Sequence, residues 1–147
     1  MRRLRPLLAC GLCFLALLGC SAHTPPIGRW EGAYEASDLM AVNRLEISPK
    51  GEIFLSAPDA LDIQNASAND RLAMHQKLAE GLVASWSGVQ PRTLDFDGHE
   101  FRKPGGIAPQ LEWNADSKQM TAILYFGMRS GLRVPLHSVE TFSADPS

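Results

Sequence analysis

The 147-residue sequence lacks cysteine from position 21 onward, since its three cysteines are Cys10, Cys13 and Cys20. The chain beyond Cys20 can therefore form neither a disulfide bond nor a thiolate zinc site. A second long apolar run is also missing after Leu18, so we expect no further membrane-spanning helix. These absences point to one small domain that is stabilised by its apolar core alone.

An excess of positive charge is missing as well. The chain carries 14 Lys and Arg against 16 Asp and Glu, a formal net charge of −2. Residues 1–19 hold three arginines and no acid, which leaves the rest of the chain with 11 basic and 16 acidic residues and a net charge of −5. Such a domain would repel phosphates, and we expect no nucleic-acid partner.

The common enzyme motifs do not occur: there is no Gly-x-Ser-x-Gly, no His-Glu-x-x-His and no phosphate-binding glycine loop. The carboxylates between Asp95 and Glu100 favour a solvated turn over a calcium loop, because the twelfth position of such a loop would be Gly106 instead of Glu. We therefore predict no catalytic residue, no metal ligand and no cofactor. A small hydrolase that uses carboxylates without a local motif is the least favoured alternative.

Residues 1–19 have the pattern of a secretory signal peptide. Residues 1–6 contain the three arginines, and residues 7–18 are almost purely apolar. Twelve helical residues reach about 18 Å, whereas the hydrocarbon core of a bilayer is about 30 Å thick. A cleaved signal is therefore favoured over a transmembrane helix.

The apolar run ends in Leu17-Leu18-Gly19-Cys20, which resembles the lipobox of bacterial lipoproteins. This resemblance covers the signal segment and the residue after the cysteine, and it carries no information on the domain. It implies that the Cys20 sulfur receives a diacylglycerol, that the signal is cut just before Cys20, and that the new amino group is acylated. Two or three acyl chains would make the attachment to the membrane effectively permanent.

The residue after the lipobox is Ser21, and in the enterobacterial sorting pattern a residue other than Asp there implies delivery to the outer membrane. We divide the mature chain into a lipidated cysteine with a tether at 20–26, one domain at 27–142, and a disordered tail at 143–147. The tether spans at most about 20 Å, so we expect the domain in the periplasm and close to the bilayer.

Most of the domain alternates between apolar and polar residues, as β-strands do. Residues 41–57 predict one hairpin, and Asp97-Gly98 predicts a second. Pro135 lies in the last expected strand and indicates that this strand is at an edge or carries a bulge.

One segment, at about 68–87, has helical periodicity, and Ser67 and Asp70 before it have the spacing of a capping box. Its expected apolar stripe consists of Leu72, His75, Ala79, Leu82, Val83 and Trp86. The predicted fold class is α+β: an antiparallel, strongly bent sheet or partial β-barrel of about 6–8 strands with this one inserted amphipathic helix.

The first expected strand begins with Gly28-Arg29-Trp30, which resembles the Gly-x-Trp entry of lipocalins. In that family the Trp closes the base of a barrel, and an Arg from the last strand, here Arg133, covers it. The resemblance implies a small hydrophobic ligand. The cavity that would hold it is walled by Trp30, Tyr34, Phe96, Trp113 and Tyr125. The candidate ligand-binding residues are Trp30, Tyr34, Trp113, Tyr125 and Arg133. Alternatively, Trp30 and Tyr34 are core residues, and Gly32 between them lets a neighbouring strand approach closely.

The favoured function is a lipid-anchored envelope lipoprotein, a non-enzymatic binding or structural module that contacts an envelope protein. The lipocalin-like binder of a small hydrophobic molecule is the alternative.

Substitution of Cys20 tests the predicted anchor. Cells fed a radioactive fatty acid should label the wild-type protein and the Cys13→Ala variant equally, and should leave Cys20→Ala unlabelled, because only the Cys20 sulfur would carry lipid. Equal label in the wild type and Cys20→Ala would show that the chain is not lipidated at this cysteine.

Overall fold

The structure is a computed structural model that describes residues 23–125 and 131–146. The predicted signal peptide and Cys20 lie outside the described residues. Nine strands and one helix follow one another along the described chain: β1 Gly28–Glu35, β2 Leu39–Ile47, β3 Ile53–Ser56, β4 Leu61–Asp62, α1 Ala68–Trp86, β5 Asp95–Phe96, β6 Glu100–Arg102, β7 Pro109–Asn114, β8 Gln119–Leu124 and β9 Leu132–Val139.

The strands form one antiparallel sheet. Eight of them follow the order β3-β2-β1-β9-β8-β7-β6-β5, and the two-residue β4 pairs with β2 beside this path. The sheet curls so far that its two ends meet, since the backbone N–H of Arg92, just before β5, donates to the carbonyl oxygen of Ile53 in β3 at 2.7 Å. The predicted antiparallel, strongly bent sheet with one inserted helix is confirmed in outline. The part of the chain that the structure describes is mostly β, with nine strands and the single helix α1.

The concave face of the sheet encloses the main core. Every second residue of each strand points inward, as the pleat requires. These inward residues fill the half-barrel with side chains that are almost fully buried: Trp30, Leu45, Ile47, Ile53, Leu55, Phe101, Leu111, Met120, Ala122, Val134 and Leu136.

A second, smaller core lies on the convex face, under α1. Met40 and Val42 of β2 pack there against Leu78 and Leu82 of the helix, together with Ile63. All residues of the two cores lie between Trp30 and Leu136, so a chain that begins at Ser21 keeps both of them. We infer that such a chain folds without the signal segment.

The ends of α1 agree with the sequence, but its buried side differs in part. Ser67 is the N-cap, and its hydroxyl and the Asp70 carboxylate form the expected capping box. The helix buries Leu78, Ala79 and Leu82, whereas Leu72 is 71% exposed and Val83 is 49% exposed. The apolar stripe is wider than the surface that the sheet offers, so only one edge of the stripe is covered.

The two predicted hairpins are present, as β2–β3 and as β5–β6. The expectation for Pro135 is wrong in part, because β9 is an interior strand that lies between β1 and β8. The pairing of β9 with β1 runs from Arg29–Val139 to Glu31–His137. His137 lies two residues after Pro135 in the chain, so Pro135 has no partner in β1. Pro135 has no backbone N–H to donate. It is tolerated in this interior strand because its position lies beyond the last pair between β9 and β1.

The close approach of two strands requires a glycine at position 32. A Cβ atom placed on Gly32 would lie 2.3 Å from the Pro135 carbonyl oxygen and 3.2 Å from the Leu136 Cα. Both are backbone atoms, so neither can move away as a flexible side chain would. Gly32 thus lets β1 lie close to the backbone of its neighbour β9, which agrees with the core interpretation of this strand.

Gly32→Ala should lower the free energy of unfolding by about 1–3 kcal/mol or more, because the added methyl overlaps the backbone of β9. Gly81→Ala is the matched control. Its Cβ would meet only Pro58 Cβ at 3.8 Å, so it should be neutral or raise stability by up to about 1 kcal/mol. Urea unfolding measures the free energy of unfolding of both variants. Equal values would show that β1 and β9 do not approach each other this closely at Gly32.

Candidate binding site

The aromatic residues expected around a ligand lie mainly in the packed interior. Trp30 is 3% exposed and meets Trp113 edge to face, with 6.1 Å between the ring centroids. Tyr34 is partly buried against the same core. Phe96 stacks on Phe101 at 4.2 Å. The structure therefore brings four of these aromatic residues to one core, where they pack on each other and on aliphatic side chains.

The remaining two residues of the lipocalin-like set lie elsewhere. Tyr125 is half-exposed, and its hydroxyl donates to the Pro109 carbonyl oxygen at 2.9 Å. Arg133 forms an ion pair with Glu112 on the convex face, which lowers the pKa of Glu112 and raises that of Arg133. Val134, the residue after Arg133, lies in the same core as Trp30. Because successive side chains of a strand point to opposite faces, the Arg133 guanidinium lies on the other face of the sheet from the Trp30 ring.

A buried ion pair holds the C-terminal segment on the convex face. Glu31 and Arg44 are opposite each other in β1 and β2, almost fully buried, with 3.6 Å between Glu31 Oε2 and Arg44 Nη2. The backbone N–H of Ser143 donates to Glu31 Oε1 at 3.0 Å, and its hydroxyl donates to the same oxygen at 2.6 Å. Arg44 in turn donates to the Ser143 carbonyl oxygen at 2.6 Å.

Aromatic rings complete this cluster. The Arg44 guanidinium lies over Phe142, 4.5 Å from the ring centroid, and Phe142 meets Trp86 of α1 edge to face at 4.8 Å. Burial lowers the pKa of Arg44, while the nearby Glu31 charge opposes that shift, and an arginine stays charged under these conditions. The segment that the sequence assigns to a disordered tail thus begins, at Ser143, with a residue fixed to the sheet.

An apolar groove lies between α1 and this C-terminal segment. Its volume is about 500 Å³. The helix contributes Leu72, Ala79, Val83 and Ala84, and the C-terminal segment contributes Ala144 and Asp145. We call this feature the α1 groove. The sequence placed Leu72, Ala79 and Val83 on the apolar stripe, but only the structure shows that Leu72 and Val83 are exposed while Ala79 is buried.

His75 borders the α1 groove and is held by β1. Its Nε2 lies 2.9 Å from Glu35 Oε2, and Arg71 Nη1 donates to Glu35 Oε1 at 3.0 Å. The hydrogen bond with His75, followed by that with Arg71, lowers the pKa of Glu35. The imidazole therefore ties the helix to the end of β1.

The carboxylates of Asp97 and Glu31 are already engaged in hydrogen bonds. Asp97 accepts hydrogen bonds from the backbone N–H of His99 and Glu100 and pairs with Arg102 within its own turn. The Glu31 oxygens accept from Ser143. Among the described residues, no group of three or more His, Cys, Asp or Glu side chains could hold a metal ion.

The comparisons with known proteins add no relative: the chain matches no family model, no curated protein and no solved structure. No helix in the described ranges is both long enough and apolar enough to cross a membrane.

His75→Ala should raise the pKa of Glu35, because the largest cause of its lowering is removed. Gln76→Ala, one residue along the helix, should leave that pKa unchanged. The contact between His75 and Glu35 stabilises the fold at neutral pH, and this stabilisation is lost as the pH falls through the lowered pKa of Glu35. The free energies of unfolding of the wild type and His75→Ala should therefore become equal in acid. NMR titration of the Glu35 carboxyl carbon measures this; an unchanged pKa would contradict the contact.

Proposed function

We propose that this chain is a lipid-anchored lipoprotein of the bacterial envelope which binds a partner protein in the periplasm and catalyses no reaction. Cys20 would carry the acyl chains that attach it to the outer membrane. The α1 groove would receive the partner. The observation that carries the proposal is an apolar groove on the outside of a domain whose interior is filled.

The chemistry of the groove indicates what would bind there. Its helix wall is apolar, and two of its residues, Leu72 and Val83, are largely exposed in the free protein. The rim carries Glu80, which accepts a hydrogen bond from Gln76 and forms no ion pair with any described cation. The fitting occupant is an apolar segment of a partner protein with a Lys or Arg beside it. Such a segment would also suit residues 20–147, which have a net charge of −5.

The lipocalin-like alternative has one observation in its favour. Trp30 Nε1 and the side-chain amide of Asn43 are buried without a hydrogen-bond partner among the described residues, and both lie on the inner face of the sheet. It has less support than the docking proposal, because aliphatic and aromatic side chains pack the interior around Trp30. The hydrolase alternative has the least support, since the carboxylates near His99 and Ser143 are already hydrogen-bonded.

Site-specific photo-crosslinking tests the docking proposal. A photoreactive phenylalanine at Leu72, inside the groove, should give one discrete adduct in intact cells. The same residue at Asp116, in the exposed β7–β8 turn, should give none. The crosslinked peptide of the partner should be apolar and carry a Lys or Arg.

Second-site variants make the result specific. Val83→Glu should reduce the Leu72 adduct about tenfold or more, because a carboxylate would be desolvated in the apolar groove. Ala115→Glu, a matched charge far from the groove, should leave it unchanged. An adduct that persists in Val83→Glu, or that forms equally from Asp116, would refute the groove as the docking surface.

A further inference from the structure

The two ends of the curled sheet leave a slot between them. It lies between β3 and the chain before β5, beside the loop that follows β6, and its volume is about 350 Å³. Its apolar lining residues are Leu55, Leu94 and Pro104, and its polar or cationic lining residues include Arg92, Lys103 and Gln110. We call it the seam slot. It shares no residue with the α1 groove.

The charge of the seam slot is opposite to that of the chain. Arg92 and Lys103 both line it, and no acidic residue does. Neither side chain forms an ion pair with a described residue, although Arg29, Arg44, Arg71, Arg102 and Arg133 all do. Residues 20–147 have a net charge of −5, so two unpaired cations that line one slot favour an anionic ligand there.

The rest of the slot is apolar. Leu55 is buried and belongs to the inner core, and Leu94 is partly buried against the same core. The backbone of Arg92 is fixed by its 2.7 Å hydrogen bond to the Ile53 carbonyl oxygen, so the chain that carries one of the cations is held at the edge of the sheet. An apolar surface with cationic side chains beside it suits a ligand that has an apolar body and one anionic end.

We propose that the seam slot binds a single-chain anionic amphiphile, namely a free fatty-acid anion. The acyl chain packs against Leu55, Leu94 and Pro104, and the carboxylate accepts hydrogen bonds from Arg92 and Lys103. A volume of about 350 Å³ is at the small end of ligand sites and suits one acyl chain better than the two chains of a phospholipid. This site goes beyond the proposed docking of a partner protein.

Calorimetric titration with decanoate below its micellar concentration tests the proposal. The chain that begins at Ser21 is used, because it keeps both cores and carries no acyl group of its own to compete. Decanoate should bind saturably with one site. Decyltrimethylammonium has the same chain length and the opposite charge, acetate has the carboxylate without the chain, and both should bind at least tenfold more weakly.

A double variant locates the site. Arg92→Gln with Lys103→Gln should weaken decanoate binding at least tenfold, since it removes both charged donors. Lys50→Gln with Lys77→Gln removes the same charge elsewhere and should leave binding unchanged. In NMR spectra, decanoate should shift the amides of Leu94, Lys103 and Gln110.

Three results would overturn the proposal. The first is no saturable decanoate binding. The second is equal binding of decyltrimethylammonium, or of decanoate to the Arg92/Lys103 double variant. The third is that the protein sediments with phosphatidylglycerol vesicles, that the Arg92/Lys103 double variant does not, and that decanoate does not bind. That result would assign the two cations to a membrane surface. None of these results bears on the α1 groove.

Discussion

Glu31 lies in the middle of the sheet with its carboxylate buried, and a buried carboxylate is stable only when its charge is paired and its oxygens accept hydrogen bonds. Arg44 supplies the charge, and Ser143 supplies two donors. Arg44 depends on Glu31 in return, since its guanidinium is also buried and needs a negative charge beside it. This mutual dependence fixes the C-terminal segment on the convex face, beside α1.

The α1 groove is a consequence of that anchor. Ala144 and Asp145, which follow Ser143 directly, form the wall opposite the helix. With Ser143 held by Glu31, the exposed edge of the apolar stripe on α1 becomes one side of a groove. Gly32 lets β1 lie close to the backbone of β9. On the concave side, apolar side chains fill the space that the curled sheet encloses. The surfaces that remain for binding are therefore at the outside and at the seam of the sheet.

Much of the fold was predictable from local patterns. Alternating residues indicated the antiparallel strands, Asp97-Gly98 indicated a hairpin, and the spacing of Ser67 and Asp70 indicated the start of α1. These features depend on residues that are close in the chain, so the sequence contains the information directly.

Other features depend on partners that are distant in the chain. The Ser143 residue that satisfies Glu31 is 112 positions away, and nothing near Glu31 indicates that its side chain is buried. The apolar stripe of α1 was visible, but the edge left uncovered depends on the width of the sheet beneath it. Arg133 was assigned to Trp30 by resemblance, and the pleat of β9 places it on the other face. The seam slot requires the two ends of the sheet to meet, which no local pattern specifies.

We propose that the C-terminal segment completes the docking groove on α1. A chain that ends at Ser143 keeps the backbone N–H and the hydroxyl that bind Glu31, and it removes Ala144 and Asp145. We expect this chain to remain folded, with the circular dichroism spectrum of the full chain, and to lose at least tenfold of the adduct from a photoreactive residue at Leu72. A full yield of that adduct from the folded, truncated chain would show that the C-terminal segment is no part of the docking surface.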